Sequence, residues 1–152
     1  MDEQKIAHLL SRRRPTSLTD TARVEPDRFT IFSGVFEGKT TGTPICIIIP
    51  NENTKSKDYT YGVARPSHAD YSGFCKYHGF EDYRGGGHFS GRITAALVAV
   101  GGILIPALEK LGIAVGTHIL ECGGVCDRPF GEEISDIALL NSRAFPVLDE
   151  AQ

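Results

Sequence analysis

The sequence predicts a mixed α+β chain forming one domain over residues 1–152. Three observations carry this. Ile6, Leu9, Leu10 and Arg13 stand near helical spacing, and an apolar stretch from Thr94 to Leu111 has the length of a helix. Phe29–Phe36 and Ile45–Ile49 are short, β-rich runs separated by turn residues. Residues 50–92 hold much Gly, Pro, Tyr and charge with little periodicity, and divide the regular elements into two groups.

Residues 2–13 read as a helix that Pro15 ends. The polar, Thr-rich residues 16–27 form a loop. Phe29–Phe36 is a strand with an irregularity at Gly34, Gly38–Pro44 a turn, and Ile45–Ile49 a second strand, together a hairpin. The segment 50–92 is too long for a mere connector, which marks it as functional. Thr94–Leu111 is the main helix, with Ser90 as its N-cap and Gly112 at C′. Pro106 should kink or divide it. Ala114–Glu121 reads as a further strand, and 130–152 as a short helix and tail. The order is α, β, β, long loop, α, β, α, without internal repeat or low-complexity tract.

Hydrophobic content is 41% and the formal net charge −3. That balance predicts no nucleic-acid or polyanion surface. Charge is uneven: Arg12, Arg13, Arg14 and Arg23 crowd the start, whereas Glu132, Glu133, Asp136, Asp149 and Glu150 crowd the end. Arginine clustering in an acidic chain suggests local anion capture. No secretory signal pattern opens the chain. The longest uncharged run, Ile93–Leu108, spans 16 residues and falls short of the ~18 that suggest a membrane span. It reads as a buried core helix, and no membrane partner is expected. Of Cys46, Cys75, Cys122 and Cys126, Cys46 lies in the apolar run Ile45–Ile49 and is expected to be a core thiol; disulfides are not expected. His118, Cys122 and Cys126 stand at intervals of four, but Gly123-Gly124 breaks any helix that would align them, and no metal site is expected.

The chemistry concentrates between Arg65 and Arg92. Gly85-Gly86-Gly87 permits φ > 0 and close backbone approach to a bulky ligand. Arg65 and Arg92 can fork onto carboxylate or phosphate. His68 can move a proton near neutral pH, or else brace the loop through Asp70. The segment reads as a pocket for an anionic small molecule.

The same residues carry a family resemblance. RPSHADY (65–71), DYRGGG (82–87) and HFSGRIT (88–94) resemble the RPGHADY, DYRGGG and SxR signatures of chorismate synthase. Upstream, Arg12-Arg13-Arg14-Pro15 resembles that family's RRRP. Glu25-Pro26-Asp27, SGVFEGKTTGTPI (33–45) and SKDY (56–59) follow in its order and near its spacing. The resemblance covers residues 2 to about 120.

The resemblance implies a sandwich of helices between antiparallel sheets, assembled as a tetramer in the cytoplasm. It implies an anti-1,4 elimination of phosphate from 5-enolpyruvylshikimate 3-phosphate, giving chorismate for aromatic amino-acid biosynthesis. Reduced FMN is the implied cofactor, with NADPH a candidate reductant. By position, Arg13, Arg65 and Arg92 would bind the anionic substrate, His68 would be catalytic beside the flavin, and His88, Phe89 and Ser90 would contact the flavin. Surface or structural roles stay open for the arginines: a solvated helix end for Arg13, a loop-positioning salt bridge for Arg92.

The chain departs from the family in known places. Its opening GESHG-type motif with a second histidine is missing, as are the C-terminal half and its RxDP-type motif. The chain therefore corresponds to a partial domain, expected to be inactive alone. Thr16-Ser17-Leu18-Thr19 lacks an arginine the family usually has; Pro106 replaces a lysine or glutamine; and Gly62–Ala64 is shorter than the usual linker. The rival reading is a non-catalytic folded remnant that binds ligand weakly or serves only as an oligomerisation module. In a third, another chain supplies the missing parts.

Overall fold

The structure, a computed structural model, describes residues 1–15, 20, 24–52, 54–84 and 89–149. Helix α1 spans Glu3–Ser11, with Asp2 as N-cap accepting the Lys5 amide at 2.9 Å. It is shorter than the expected 2–13, and Arg13 sits in a tighter turn donating its amide to the Leu10 carbonyl at 3.2 Å. Helix α3 spans Thr94–Glu109 and follows a 3₁₀ turn, Gly91–Ile93. Ser90 caps that turn, accepting the Arg92 amide at 3.2 Å.

Helices α1 and α3 pack antiparallel. Lys5 pairs with Glu109 at 3.3 Å at one end, and Arg13 reaches Thr94 at 3.0 Å at the other. Between them Ile6, Leu10, Ala95 and Ala99 form the buried core, with Phe29 and Ile49 packed against it. Burying Ile6 and Leu10 contributes about 1.5–3 kcal/mol each. Gly102 lets the backbones meet: a Cβ there would lie 2.8 Å from the Ile6 Cα.

The helix runs through Pro106 undivided. Proline removes one N–H, and the remaining turns of the 16-residue helix bear the loss. Only one side of α3 is buried; Leu97 is 68% and Leu104 54% exposed, so the expected fully buried core helix becomes a one-sided one. Counting the 3₁₀ turn and its charged ends, Gly91–Glu109 is long and apolar enough to cross a membrane by length and composition. The uncharged run within it is the 16 residues Ile93–Leu108, and its Ala95, Ala99 and Gly102 side is taken by α1.

The expected hairpin is present, in four pieces. Strands β1 (Thr30–Ser33) and β4 (Cys46–Ile48) pair antiparallel, with a bulge between Ile31 and Ser33. Beyond Gly34, β2 (Val35–Phe36) and β3 (Lys39–Thr40) pair across a two-residue turn. Both turn residues, Glu37 and Gly38, have positive φ, so the reversal comes earlier than the expected Gly38–Pro44. Cys46 is exposed, not a core thiol: alternation along β4 turns Ile47 inward and Cys46 outward.

The segment 50–92 is not wholly irregular. A 3₁₀ turn covers Ser56–Asp58, and helix α2 spans Asp70–Tyr77, closed by His78 in the left-handed conformation. Gly73 in mid-helix masked it in the sequence. Of the expected strand Ala114–Glu121 only the last residue, Glu121, is paired; residues 114–120 form no regular element. Instead β5 (Glu121–Cys122) and β6 (Val125–Cys126) form a small ribbon whose Gly123-Gly124 turn has φ of 62° and 85°. The Ile119 amide bonds the Pro146 carbonyl at 2.8 Å, so the tail acts as its partner. Helix α4 spans Glu133–Ser142. Helices with small antiparallel sheets make the described chain α+β.

Candidate functional site

Two arginine–carboxylate clusters stand out. In the first, the end of α1 and the start of α3 bring Arg13 and Arg92 to one carboxylate. Arg13 Nη1 donates to Asp27 Oδ2 at 2.6 Å, and Arg92 Nη1 donates to Asp27 Oδ1. Arg92 Nε pairs with Glu25 at 3.1 Å, and its Nη2 donates to the Pro50 carbonyl at 2.8 Å. Arg13 Nη2 donates to Thr94 Oγ1 at 3.0 Å and toward the Gly91 carbonyl at 3.4 Å. Glu25 and Asp27 are buried. Asp27 has φ 47°, a conformation that non-glycine residues adopt sparingly.

The second cluster is local. Arg65 forks onto Asp70, with Nε to Oδ2 at 2.8 Å and Nη2 to Oδ1 at 2.9 Å; its backbone amide also donates to Oδ2 at 2.9 Å. The Arg65 hydrogen bond outweighs desolvation and holds the Asp70 carboxyl well below the usual carboxylate range. His68 Nδ1 lies 2.8 Å from Asp70 Oδ1. An ionised carboxylate only accepts, so Nδ1 carries a proton and Nε2 is the ring's basic nitrogen in the neutral form, with Arg65 Nη2 3.3 Å away. The Arg65 guanidinium also lies 5.2 Å from the centre of the Tyr59 ring.

Two cavities adjoin these clusters. A groove of about 820 Å³ has Lys55, Ser56, Arg84, Ser90 and Arg92 on its polar side. Isoleucines of the β4 region and the open side of α3 make its apolar wall. A cavity of about 370 Å³ is lined by Arg65, Asp70, Tyr83 and Phe89 among others, and Tyr59 lines both. Residues singled out from sequence thus divide: Ser90 and Arg92 in the groove, Arg65 and Phe89 in the cavity, Arg13 and His68 lining neither. His88, Gly85-Gly86-Gly87 and Thr16–Thr19 lie outside the described residues. Phe89 packs on α2, its ring 6.1 Å from that of Tyr77.

Sequence reasoning passed over Glu25, Asp27, Lys55 and Arg84 as site residues. Lys55 stands near Lys57 in a mixed-charge stretch and Arg84 forks onto Asp82 at 2.9 and 3.0 Å; the fold puts both on the groove that Arg92 lines. His118, considered above for a metal, donates to Asp127 at 2.9 Å and meets Phe130 edge-on. Among the described residues no group of three His, Cys, Asp or Glu side chains could hold a metal.

Fold and side chains together define an α+β segment with a buried arginine–carboxylate cluster beside an open groove. The family model for chorismate synthase matches residues 1–152. Chorismate synthase of Sulfurimonas denitrificans is 50% identical over 136 residues, 88% of this chain and 38% of that protein. Those of Lachnoclostridium phytofermentans and Korarchaeum cryptofilum are 48% and 45% identical over 128 and 127 residues, each covering 82% of this chain and 35% of that protein. The chain belongs to the chorismate synthase family, and spans little more than a third of the length of these curated relatives.

Proposed function

We propose that this chain carries part of the substrate and flavin site of a chorismate synthase, a carbon–oxygen lyase of aromatic amino-acid biosynthesis. Its reaction is the anti-1,4 elimination of phosphate from 5-enolpyruvylshikimate 3-phosphate. The observation that carries this reading, within the family match, is the convergence of Arg13 and Arg92 on Asp27 beside a groove bearing Lys55 and Arg84. A substrate with a phosphate and two carboxylates needs several such cations.

Arg13, Arg65 and Arg92 bind and orient the anion. His68, with Nδ1–H given to Asp70, takes or gives its proton at Nε2. The residues suit a flavin in kind. Phe89, Tyr59 and Tyr83 give a cavity aromatic walls for a planar ring, and Ser90 offers a hydroxyl at a helix start. Phe89 and Ser90, with His88, are the residues that would hold reduced FMN, which when bound supplies electron density for the elimination. NADPH is a candidate reductant for it. The resemblance adds homotetrameric assembly in the cytoplasm without a membrane partner, and the net charge of −3 argues against a nucleic-acid partner.

A full-length synthase carrying this segment should form chorismate from 5-enolpyruvylshikimate 3-phosphate with reduced FMN. The isolated 152-residue chain should not, because positioned groups act as a unit. No chorismate from the full-length protein would overturn the reading. The open apolar side of α3 favours a second reading, an assembly module. Light scattering of the isolated chain tests it, since such a module would self-associate without any lyase activity.

A further inference from the structure

We infer that Asp27 is a positioning residue of the anion site: it braces Arg92, which lines the groove, against Arg13 and so orients Arg92 toward a phosphate or carboxylate group of the ligand. The inference rests on the reading that these arginines meet the substrate. The two lie on different elements, one after α1 and the other in the turn before α3, and their Nη1 atoms share the two oxygens of one carboxylate. Neither arginine is exhausted by its partners. A guanidinium carries five N–H groups. Arg92 gives one hydrogen of Nη1 to Asp27 and one of Nη2 to Pro50, its Nε lies in an ion pair 3.1 Å from Glu25, and it lines the groove.

Asp27 is itself buried at 5% exposure and held at φ 47°. Such a backbone persists where the surroundings over-determine it. Charge alone argues against a carboxylate here. Asp27 and Glu25 formally cancel the two guanidiniums, and a negative group beside an anion site repels the ligand. Orientation must therefore outweigh repulsion if Asp27 serves binding, and this gives the inference a sign that a plain charge effect lacks. A guanidinium held in place loses less freedom when it binds.

The test is made in a full-length synthase carrying this segment. Asp27→Asn keeps the shape and tolerates left-handed backbone, but removes the charge. Inorganic phosphate is titrated by calorimetry, and KM and kcat are measured for the phosphorylated substrate. Asp27→Asn should weaken phosphate binding about tenfold, which is about 1.4 kcal/mol, and raise KM more than it lowers kcat. Asp27→Glu should recover part of the loss. Tighter or unchanged phosphate binding would overturn the inference, and so would a lower Tm with unaltered phosphate affinity, which marks a bridge serving the fold alone. Glu25→Gln removes the charge beside the Arg92 Nε while leaving Asp27 in place, and guards against an unfolded variant. It should weaken phosphate binding about threefold, which is about 0.6 kcal/mol, and no change would again count against the inference. Phosphate binding without chorismate formation would sink the proposed function and leave this inference readable. A wild-type protein that binds no phosphate would sink the inference itself.

Discussion

Gly73 lies under the Phe89 ring so closely that a Cβ would stand 2.5 Å from Cε2 and 2.9 Å from Cζ. Alanine at this position would gain about 0.5–1 kcal/mol of helix preference in α2. Overpacking typically costs about 1–3 kcal/mol, so the clash wins. Gly73→Ala should lower Tm, and Phe89→Leu in the same protein should restore much of it. A Gly73→Ala protein as stable as the parent would mean that the ring moves aside freely.

The two arginines on Asp27 should differ. Arg92 is the more enclosed, with its side chain 15% exposed, and its loss leaves Glu25 and Asp27 buried without it. Arg92→Ala should cost about 3–5 kcal/mol of stability. Arg13 is 21% exposed and has one carboxylate partner. Arg13→Ala should fold and, in the full-length enzyme, weaken substrate capture roughly ten- to a hundred-fold, the equivalent of one charge-assisted hydrogen bond. Chemical denaturation and KM measurements on both variants check this ordering.

His68 and Asp70 should separate by readout. In the full-length enzyme, His68→Ala should lower turnover about 10²–10⁴-fold with the fold intact. Asp70→Asn breaks the Arg65 fork, but Arg65 is 38% exposed and solvent screens the pair. Its stability cost should be about 1–2 kcal/mol. Unaltered turnover in His68→Ala would remove His68 from the catalysis.

Acid should release the C-terminal tail. Asp127 accepts the Leu148 amide at 2.6 Å and the Asp149 amide at 2.8 Å. Burial pushes its carboxyl up, but these amides and His118 together outweigh that and hold it at about 2. Arg128 likewise holds Asp136 at about 2. An unfolded aspartate titrates near ~3.9, so the folded values are depressed. The stabilisation is complete above that value and disappears as pH falls from about 4 toward about 2. The NMR shifts of the Leu148 and Asp149 amides should move through this window, and Asp127→Asn should abolish the transition.

Much of this architecture was legible in the sequence because local signals suffice for it. Apolar spacing in α1, the length of the α3 stretch and the turn residues after Phe36 each specify an element without tertiary help. Helix α2 was hidden because Gly73, which Phe89 requires, erases its periodicity. Residues 114–121 have strand-like composition, but pairing depends on a partner that composition does not reveal. The arginines were legible as anion-binding types. Their convergence on Asp27 was not, since contacts 14 and 65 residues apart in sequence arise only when α1 and α3 pack.

That packing turns Gly102 into a fulcrum. Ile6 bears on it, while the arms of the helix pair end at Arg13 and Arg92. From Gly102 to Thr94 the arm is roughly 12 Å at the rise of an α-helix. A methyl group inserted at the pivot tilts both arms, so Gly102→Ala would register first as a splayed guanidinium pair at Asp27 and only second as a looser core. Fidelity of the charged cluster is thus set by a residue with no charge and no side chain.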